Sequence, residues 1–346
     1  MSRSRVTIRD VAALAGVSHQ TVSRVINDSE RVTPETRRRV EDAIAQLGYR
    51  PNAIARFMAK GRSATLACIA PNLTDYTFAS LISGAEVEAR QHDFFLLSAS
   101  APDEATFAAL IDQLVTSGRT EGIIVINPYA DGRHTYLPSN VPYVFAGARP
   151  REDAANSVAL DDPEAAQRAT GHLLQLGHCR IGLVTGPPVE DCTQDRTLGY
   201  ERALQAAGIA PDPALVVQGN WLAPSGYEAL MCLAQRGPLP TAVFAENDQM
   251  AVGVLRAARD LGIRVPDELS VIGIDDIPLA AYFEPPLTTL RQDFEAIGRE
   301  AARLLIQAVA QPALERQHLR LPAGMIIRRS TAPPSSPGRD DPGRAA

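Results

Sequence analysis

Apolar and polar positions follow two different rhythms along this chain, and the rhythm changes near residue 62. Before that point apolar residues recur every three or four positions. Ile8, Val11, Ala12 and Ala15 share one face of a predicted first helix, and Val22, Val25 and Ile26 share one in "GVSHQTVSRVIN". Val40, Ile44 and Leu47 do the same in "ETRRRVEDAIAQLG". The punctuation agrees with the periodicity. Thr7 is placed to cap the first helix, Gly16 to turn the chain and Ser18 to cap the second helix. Thr33-Pro34 opens the third and Gly48 stops it. Three short helices with a tight glycine turn between the first two predict an all-α helix-turn-helix domain over residues 1–50.

Beyond residue 62 the apolar residues come in short unbroken runs. "TLACIAP", "FFLLSAS", "EGIIVIN", "PYVFAGA", "CRIGLVTG", "TAVFAEN" and "LSVIGIDD" read as buried parallel strands. Amphipathic stretches at 78–91, 103–117, 163–176, 195–208, 224–236 and 248–262 separate them. Repeated strand–helix units predict doubly wound parallel sheets, and the number of strands predicts two lobes. A length of 346 residues suits that division.

The second helix is polar on the side away from its packed face. His19, Gln20, Ser23, Arg24 and Asn27 lie there, with Thr21 beside them. Side chains of these lengths can reach base edges in the major groove: Arg24 suits guanine, Gln20 suits adenine, and His19 stands at the leading end. Ser23, Asn27 and Thr7 suit phosphates. Charge strengthens this reading. Residues 1–62 carry twelve Lys/Arg against six Asp/Glu, whereas the remaining 284 carry twenty-two against thirty-four, within a net charge of −6. A basic head on an acidic body is the asymmetry expected when one module meets a polyanion.

Other classes find little support. The start "MSRSRVTIRD" lacks the apolar core of a secretory signal, and no run is long enough to span a bilayer. Cys68, Cys179, Cys192 and Cys232 show no paired spacing and read as reduced thiols of a cytoplasmic protein with no membrane partner. No catalytic motif of the GxSxG, HExxH, GxGxxG or P-loop type is present, and the six histidines form no ligand-spaced cluster. Neither an enzyme, a metal nor a cofactor is expected.

"TIRDVAALAGVSHQTVSRVIN" followed by "VTPETRRRVEDAIAQLGYRPNAIAR" resembles the head of LacI/GalR-family transcription regulators, and the resemblance continues to about residue 330. It implies a hinge over 51–62, whose helix starts at Pro51-Asn52 and orders only on DNA. Met58 would then wedge a base step from the minor groove, Ala55 would allow close approach, and Arg56 would reach phosphate. It also implies a periplasmic-binding-protein-like body of two lobes, 63–162 plus 291–321 and 163–290 plus 322–330. A disordered tail would cover 331–346.

The same resemblance marks an effector site in the interlobe cleft. Arg196, Asn247 and Asp275 would meet hydroxyls and Trp221 an apolar face, with Gln249 nearby. Asp75, Phe78 and Phe294 would line the opposite wall. A sugar is the expected effector and a purine the alternative. Pro102 and Gly147 replace an arginine and an acidic residue that galactoside-responsive members use, which argues against a β-galactoside. A repressor follows, acting as a homodimer on a palindromic double-stranded operator. The tail lacks the leucine heptads of tetrameric members. A sugar-transport component, the remaining rival, fits neither the basic head nor the expected lack of a signal.

Overall fold

The structure, a computed structural model, describes residues 6–26, 31–49, 63–149 and 156–335. The chain forms two compact units that meet between Ala64 and Thr65.

In the first unit, α1 spans Ile8–Ala15, α2 His19–Ile26 and α3 Pro34–Leu47. Val11, Val22 and Val40 are wholly buried where the three helices meet, and Ala12, Ala15, Val25 and Ala43 complete the core. Gly16 takes φ +64°, a left-handed conformation that glycine adopts without strain. The Arg39 guanidinium clasps this turn by donating to the main-chain oxygens of Ala15 (2.5 Å) and Gly16 (3.2 Å).

The second unit holds two six-stranded sheets. In chain order it contains β1 (Thr65–Ala70), α4 (Tyr76–Gln91), β2 (Phe95–Ser100), α5 (Glu104–Thr116), β3 (Gly122–Ile126), β4 (Tyr143–Ala146) and β5 (Asn156–Leu160). Next come α6 (Asp162–Gln175), β6 (Ile181–Thr185), α7 (Asp191–Ala206), β7 (Val216–Gln218), α8 (Ala223–Arg236), β8 (Ala242–Ala245), α9 (Asp248–Asp260) and β9 (Ser270–Asp275). The last elements are β10 (Thr288–Arg291), α10 (Phe294–Ala310), β11 (His318–Leu321) and β12 (Gly324–Ile326). Lobe 1 has the strand order β11-β5-β4-β3-β1-β2, and lobe 2 has β12-β10-β9-β8-β6-β7. All pairings are parallel except that of β12 with β10. The fold is therefore a helical helix-turn-helix region plus a two-lobed α/β body.

The chain passes between lobes after β5, after β10 and after β11. Its return to lobe 1 through α10 depends on close backbone contact with α4. A Cβ on Gly298 would stand 1.9 Å from the Leu81 oxygen, so only glycine fits that crossing.

Three features differ from the sequence reading. Helix α7 starts at Asp191, ahead of the expected 195, because Asp191, Thr193 and Asp195 turn into buried surroundings instead of marking a loop. The short strands β5, β7, β10, β11 and β12 carry too few apolar residues in unbroken runs to be recognised by pattern, whereas helix α10 is regularly amphipathic along Phe294, Ile297, Ala301, Leu304 and Leu305 and lies outside the stretches picked out above. Finally, residues 331–335 are anchored, in contrast to the disorder expected from 331 onward. Ala332 N–H donates to Ser270 Oγ (3.0 Å), Thr331 Oγ1 lies 3.0 Å from His172 Nε2, and Ser335 Oγ donates to the Asp267 oxygen (2.5 Å).

Candidate functional site

On the head, Ser18 caps α2: its Oγ accepts from Thr21 N–H (3.1 Å) and lies 2.9 Å from Thr21 Oγ1. With Val22 and Val25 buried, helical geometry turns His19, Gln20 and Arg24 outward, and all three are exposed. Their side chains make no hydrogen bond or ion pair with another described residue. Ser23 and Thr21 are half-buried. Thr7 N–H and Oγ1 both donate to Asp10 Oδ2 at 2.8 Å, and the Thr7 amide holds the Asp10 carboxyl below its usual range. A phosphate contact from the Thr7 hydroxyl would have to replace that bond. Asn27, Asn52, Ala55, Arg56 and Met58 lie outside the described residues.

The second unit brings the carboxyl ends of β1, β3 and β4 of lobe 1 to the carboxyl ends of β6, β8 and β9 of lobe 2. Ligands of doubly wound folds bind at such ends. Direct side-chain bonds already cross the gap. Gln249 Nε2 donates to Asp75 Oδ2 (3.2 Å), and Asn127 Nδ2 donates to Glu190 Oε2 (2.9 Å). Arg149 Nη2 donates to Gln194 Oε1 (2.8 Å) and lies 3.4 Å from Asp195 Oδ1.

On the lobe 2 wall, Arg196 is buried, with Nε bonded to Asp162 Oδ1 (2.7 Å) and Nη1 to the Glu246 main-chain oxygen. Burial is the largest single influence and opposes its charge, but Asp162, Cys192 and Asp275 together outweigh burial and leave the guanidinium above its ordinary value. Arg196 Cζ lies 5.7 Å from the centroid of the Trp221 ring. The indole rests on Gly186, where a Cβ would come within 2.1 Å of it, and its Nε1 donates to Glu190 Oε1 (3.1 Å). Asn247 caps α9 by accepting from Met250 N–H (2.8 Å), while its Nδ2 donates to the Trp221 oxygen (3.0 Å). The amide thus positions the backbone that carries the indole.

Asp275, 5 % exposed, accepts from Gln292 Nε2 (3.3 Å), and burial raises its carboxyl well above the ordinary value while Arg196 pulls it back. Asn127 (φ +52°), Trp221 (φ +72°) and Asp275 (φ +127°) all adopt backbone conformations rare outside glycine. Such strain concentrates at binding sites.

On the lobe 1 wall, Asp75 caps α4 by accepting from Thr77 N–H (2.8 Å) and Oγ1 (2.6 Å). Phe294 packs edge-on against Tyr76, with centroids 6.3 Å apart, and Phe78 packs onto the lobe 1 core. Arg196, Trp221, Asn247 and Asp275 thus gather on one wall, Asp75 and Gln249 meet across the gap, and Phe78 and Phe294 stand on the lobe 1 side.

Sequence reasoning missed Glu190, Asn127, Arg149 and Glu246. Each follows a strand end, so the rule that selected Arg196 could have selected them. Glu246 is fully buried and accepts from Gly186 N–H (2.8 Å) and Thr197 Oγ1 (3.0 Å). Burial pushes its carboxyl up to about 8 against those bonds.

A helix-turn-helix module with an exposed polar recognition face, joined to a two-lobed α/β body, defines a class of DNA-binding regulators. Residues 7–52 match the bacterial regulatory proteins of the lacI family, and residues 170–331 match the periplasmic binding protein-like domain. The HTH-type transcriptional regulator CelR of Thermobifida fusca is 35 % identical over 338 residues, covering 95 % of this chain and 99 % of that protein. A solved complex of transcriptional regulator CelR with cellobiose aligns with TM-score 0.74 at 34 % identity, covering 94 % of this chain and 100 % of that one. The Lac repressor dimer bound to operator and the anti-inducer ONPF aligns with TM-score 0.85 at 30 % identity, covering 95 % and 100 %. The chain belongs to the LacI family and is a DNA-binding transcriptional regulator. Among the described residues no helix is long and apolar enough to cross a membrane, and no group of His, Cys, Asp and Glu could hold a metal ion.

Proposed function

We propose that this protein is a repressor whose affinity for a palindromic operator is set by a sugar bound in the interlobe cleft. The observation that carries this reading is the lobe 2 wall. A tryptophan face, a guanidinium, an amide and a carboxylate surround one gap at the strand ends, which suits a neutral ligand with polar edges and an apolar face. The cellobiose in the CelR complex supports a sugar.

His19, Gln20 and Arg24 read bases, supported by Thr7, Ser18, Thr21, Ser23 and Asn27. Residues 51–62 form the hinge, with Asn52, Ala55, Arg56 and Met58 at the minor groove. Arg196, Trp221, Asn247, Gln249 and Asp275 hold the effector against Asp75, Phe78 and Phe294. The protein works in the cytoplasm, without catalysis and without a cofactor. It acts as a homodimer, supported by exposed Phe95 and Leu97 on the edge strand β2 and by exposed Leu279 and Tyr282. Ligand changes the preferred lobe arrangement and with it the ability of paired hinges to order. A coupling of about 1–3 kcal/mol is enough.

A thermal-shift screen of neutral sugars, cellobiose among them, alongside nucleobases tests the effector. A sugar that raises the melting temperature, with Trp221→Ala abolishing the rise, is the expected result. A response to nucleobases alone overturns the sugar assignment.

A further inference from the structure

Arg149 stands outside the set of residues assigned to effector contact, yet among the described residues it joins the lobes through more groups than Gln249 or Asn127 does. It follows β4 in lobe 1, and its Nη2 reaches the first two turns of α7 in lobe 2. There it donates to Gln194 Oε1 (2.8 Å) and the Asp191 main-chain oxygen (3.5 Å), with Asp195 Oδ1 at 3.4 Å and Asp191 Oδ1 at 3.7 Å. Arg196 is the next residue on that helix, and Glu190, which holds the indole N–H of Trp221, immediately precedes it. Whatever moves the start of α7 therefore moves the arginine and the indole together.

We propose that Arg149 is the positioning residue of the effector site: by tying lobe 1 to the start of α7, it holds the cleft walls in register without a bound ligand. This deepens the reading of the cleft as an effector site and rests on it. The charge pattern supports the role. Asp191 and Asp195 are both buried beside the bridge. Without the guanidinium, Asp195 loses the one lobe 1 cation that stands within ion-pair distance among the described residues, Arg320 of β11 acting on it from farther away, so the pull of α7 towards lobe 1 weakens. Burial raises the Asp195 carboxyl and Arg149 opposes that rise, so each partner depends on the other. All of these contacts run through Nη2 alone while Nε is buried without a hydrogen-bond partner, so a lysine ammonium could keep part of the bridge but not all of it.

Trp221 is the only tryptophan in the chain, so its fluorescence reports on the cleft with neither operator nor effector present. The test is acrylamide quenching of Trp221 in the full-length protein and its variants. Arg149→Ala is expected to raise the quenching constant and shift emission to the red, with Arg149→Lys in between. Asp195→Asn combined with Arg149→Ala should add less than the sum of the single effects, as residues in one network do. Where Arg149→Ala does not fold, added salt in the unmodified protein gives the same reading, because it weakens partly exposed ion pairs and should raise quenching. Unchanged quenching, or a lower melting temperature with unchanged quenching, overturns the proposal. That result leaves the assignment of the cleft untouched, since ligand-induced melting shifts test it separately.

Discussion

At the scale of single residues, buried charge is the main feature of lobe 2. Glu246 lies inside the protein with its carboxyl raised to about 8, from an ordinary value near 4.5. Between those limits the folded chain binds more protons at this site than the unfolded chain does. Its contribution is therefore full below about 4.5 and is lost as pH rises towards about 8. Glu246→Gln removes that titration. Urea unfolding at pH 5 and pH 8 should show the variant gaining on the unmodified protein at the higher pH. Equal differences at the two pH values would contradict the assignment.

Ser330 is a second buried device. It accepts from Thr288 N–H (2.8 Å) and donates to the Val271 oxygen (2.6 Å), tying the C-terminal segment to β9 and β10. Ser330→Ala leaves both buried main-chain groups short of a partner and should cost about 1–3 kcal/mol in denaturant unfolding. A cost near zero would show that the segment is held elsewhere.

At the scale of elements, α2 separates stability from recognition. Val22 and Val25 hold the head together, while His19, Gln20 and Arg24 project outward. Gln20→Ala should leave helicity and melting unchanged yet remove about 1–3 kcal/mol of discrimination at one base pair. Val22→Ala should loosen the head and weaken binding to all duplexes alike. Circular dichroism beside competitive DNA titration distinguishes the two. The head was legible because caps, turn glycine and helical spacing coincide within fifty residues. Six of the seven apolar strand runs were legible for a similar reason, since a strand buried on both faces leaves few polar positions; the seventh, "FFLLSAS", was expected to be buried but forms the exposed edge strand β2. By contrast, β10 "TTLR" and β11 "HLRL" mix polar and apolar residues, and the chain changes lobe between them through α10. Local pattern contains no information about that change, which depends on remote contacts such as Gly298 against Leu81.

The cleft was only partly legible. Arg196, Trp221 and Asp275 stand out by residue type at strand ends, but the pairing of Glu190 with both Trp221 and Asn127 joins residues 31 and 63 positions apart. Only folding brings those groups together. The apparent ligand groups Asn247 and Asp75 have structural duties as helix caps, so substitutions there will mix lost binding with a lost cap worth about 1 kcal/mol.

At the scale of the whole molecule, a basic DNA-reading head and an acidic body with a cleft make sense only if they are coupled. The most direct measurement is a fluorescence-anisotropy titration at fixed salt, using a duplex selected by the protein from a random-sequence pool, with and without the sugar that raises its melting temperature. The account predicts strong preference for the selected duplex over random DNA and a change in that affinity of about five- to 150-fold when sugar is added, the range typical of allosteric pairs. Equal affinity for selected and random duplexes, or an affinity unmoved by a sugar that demonstrably binds, would contradict it.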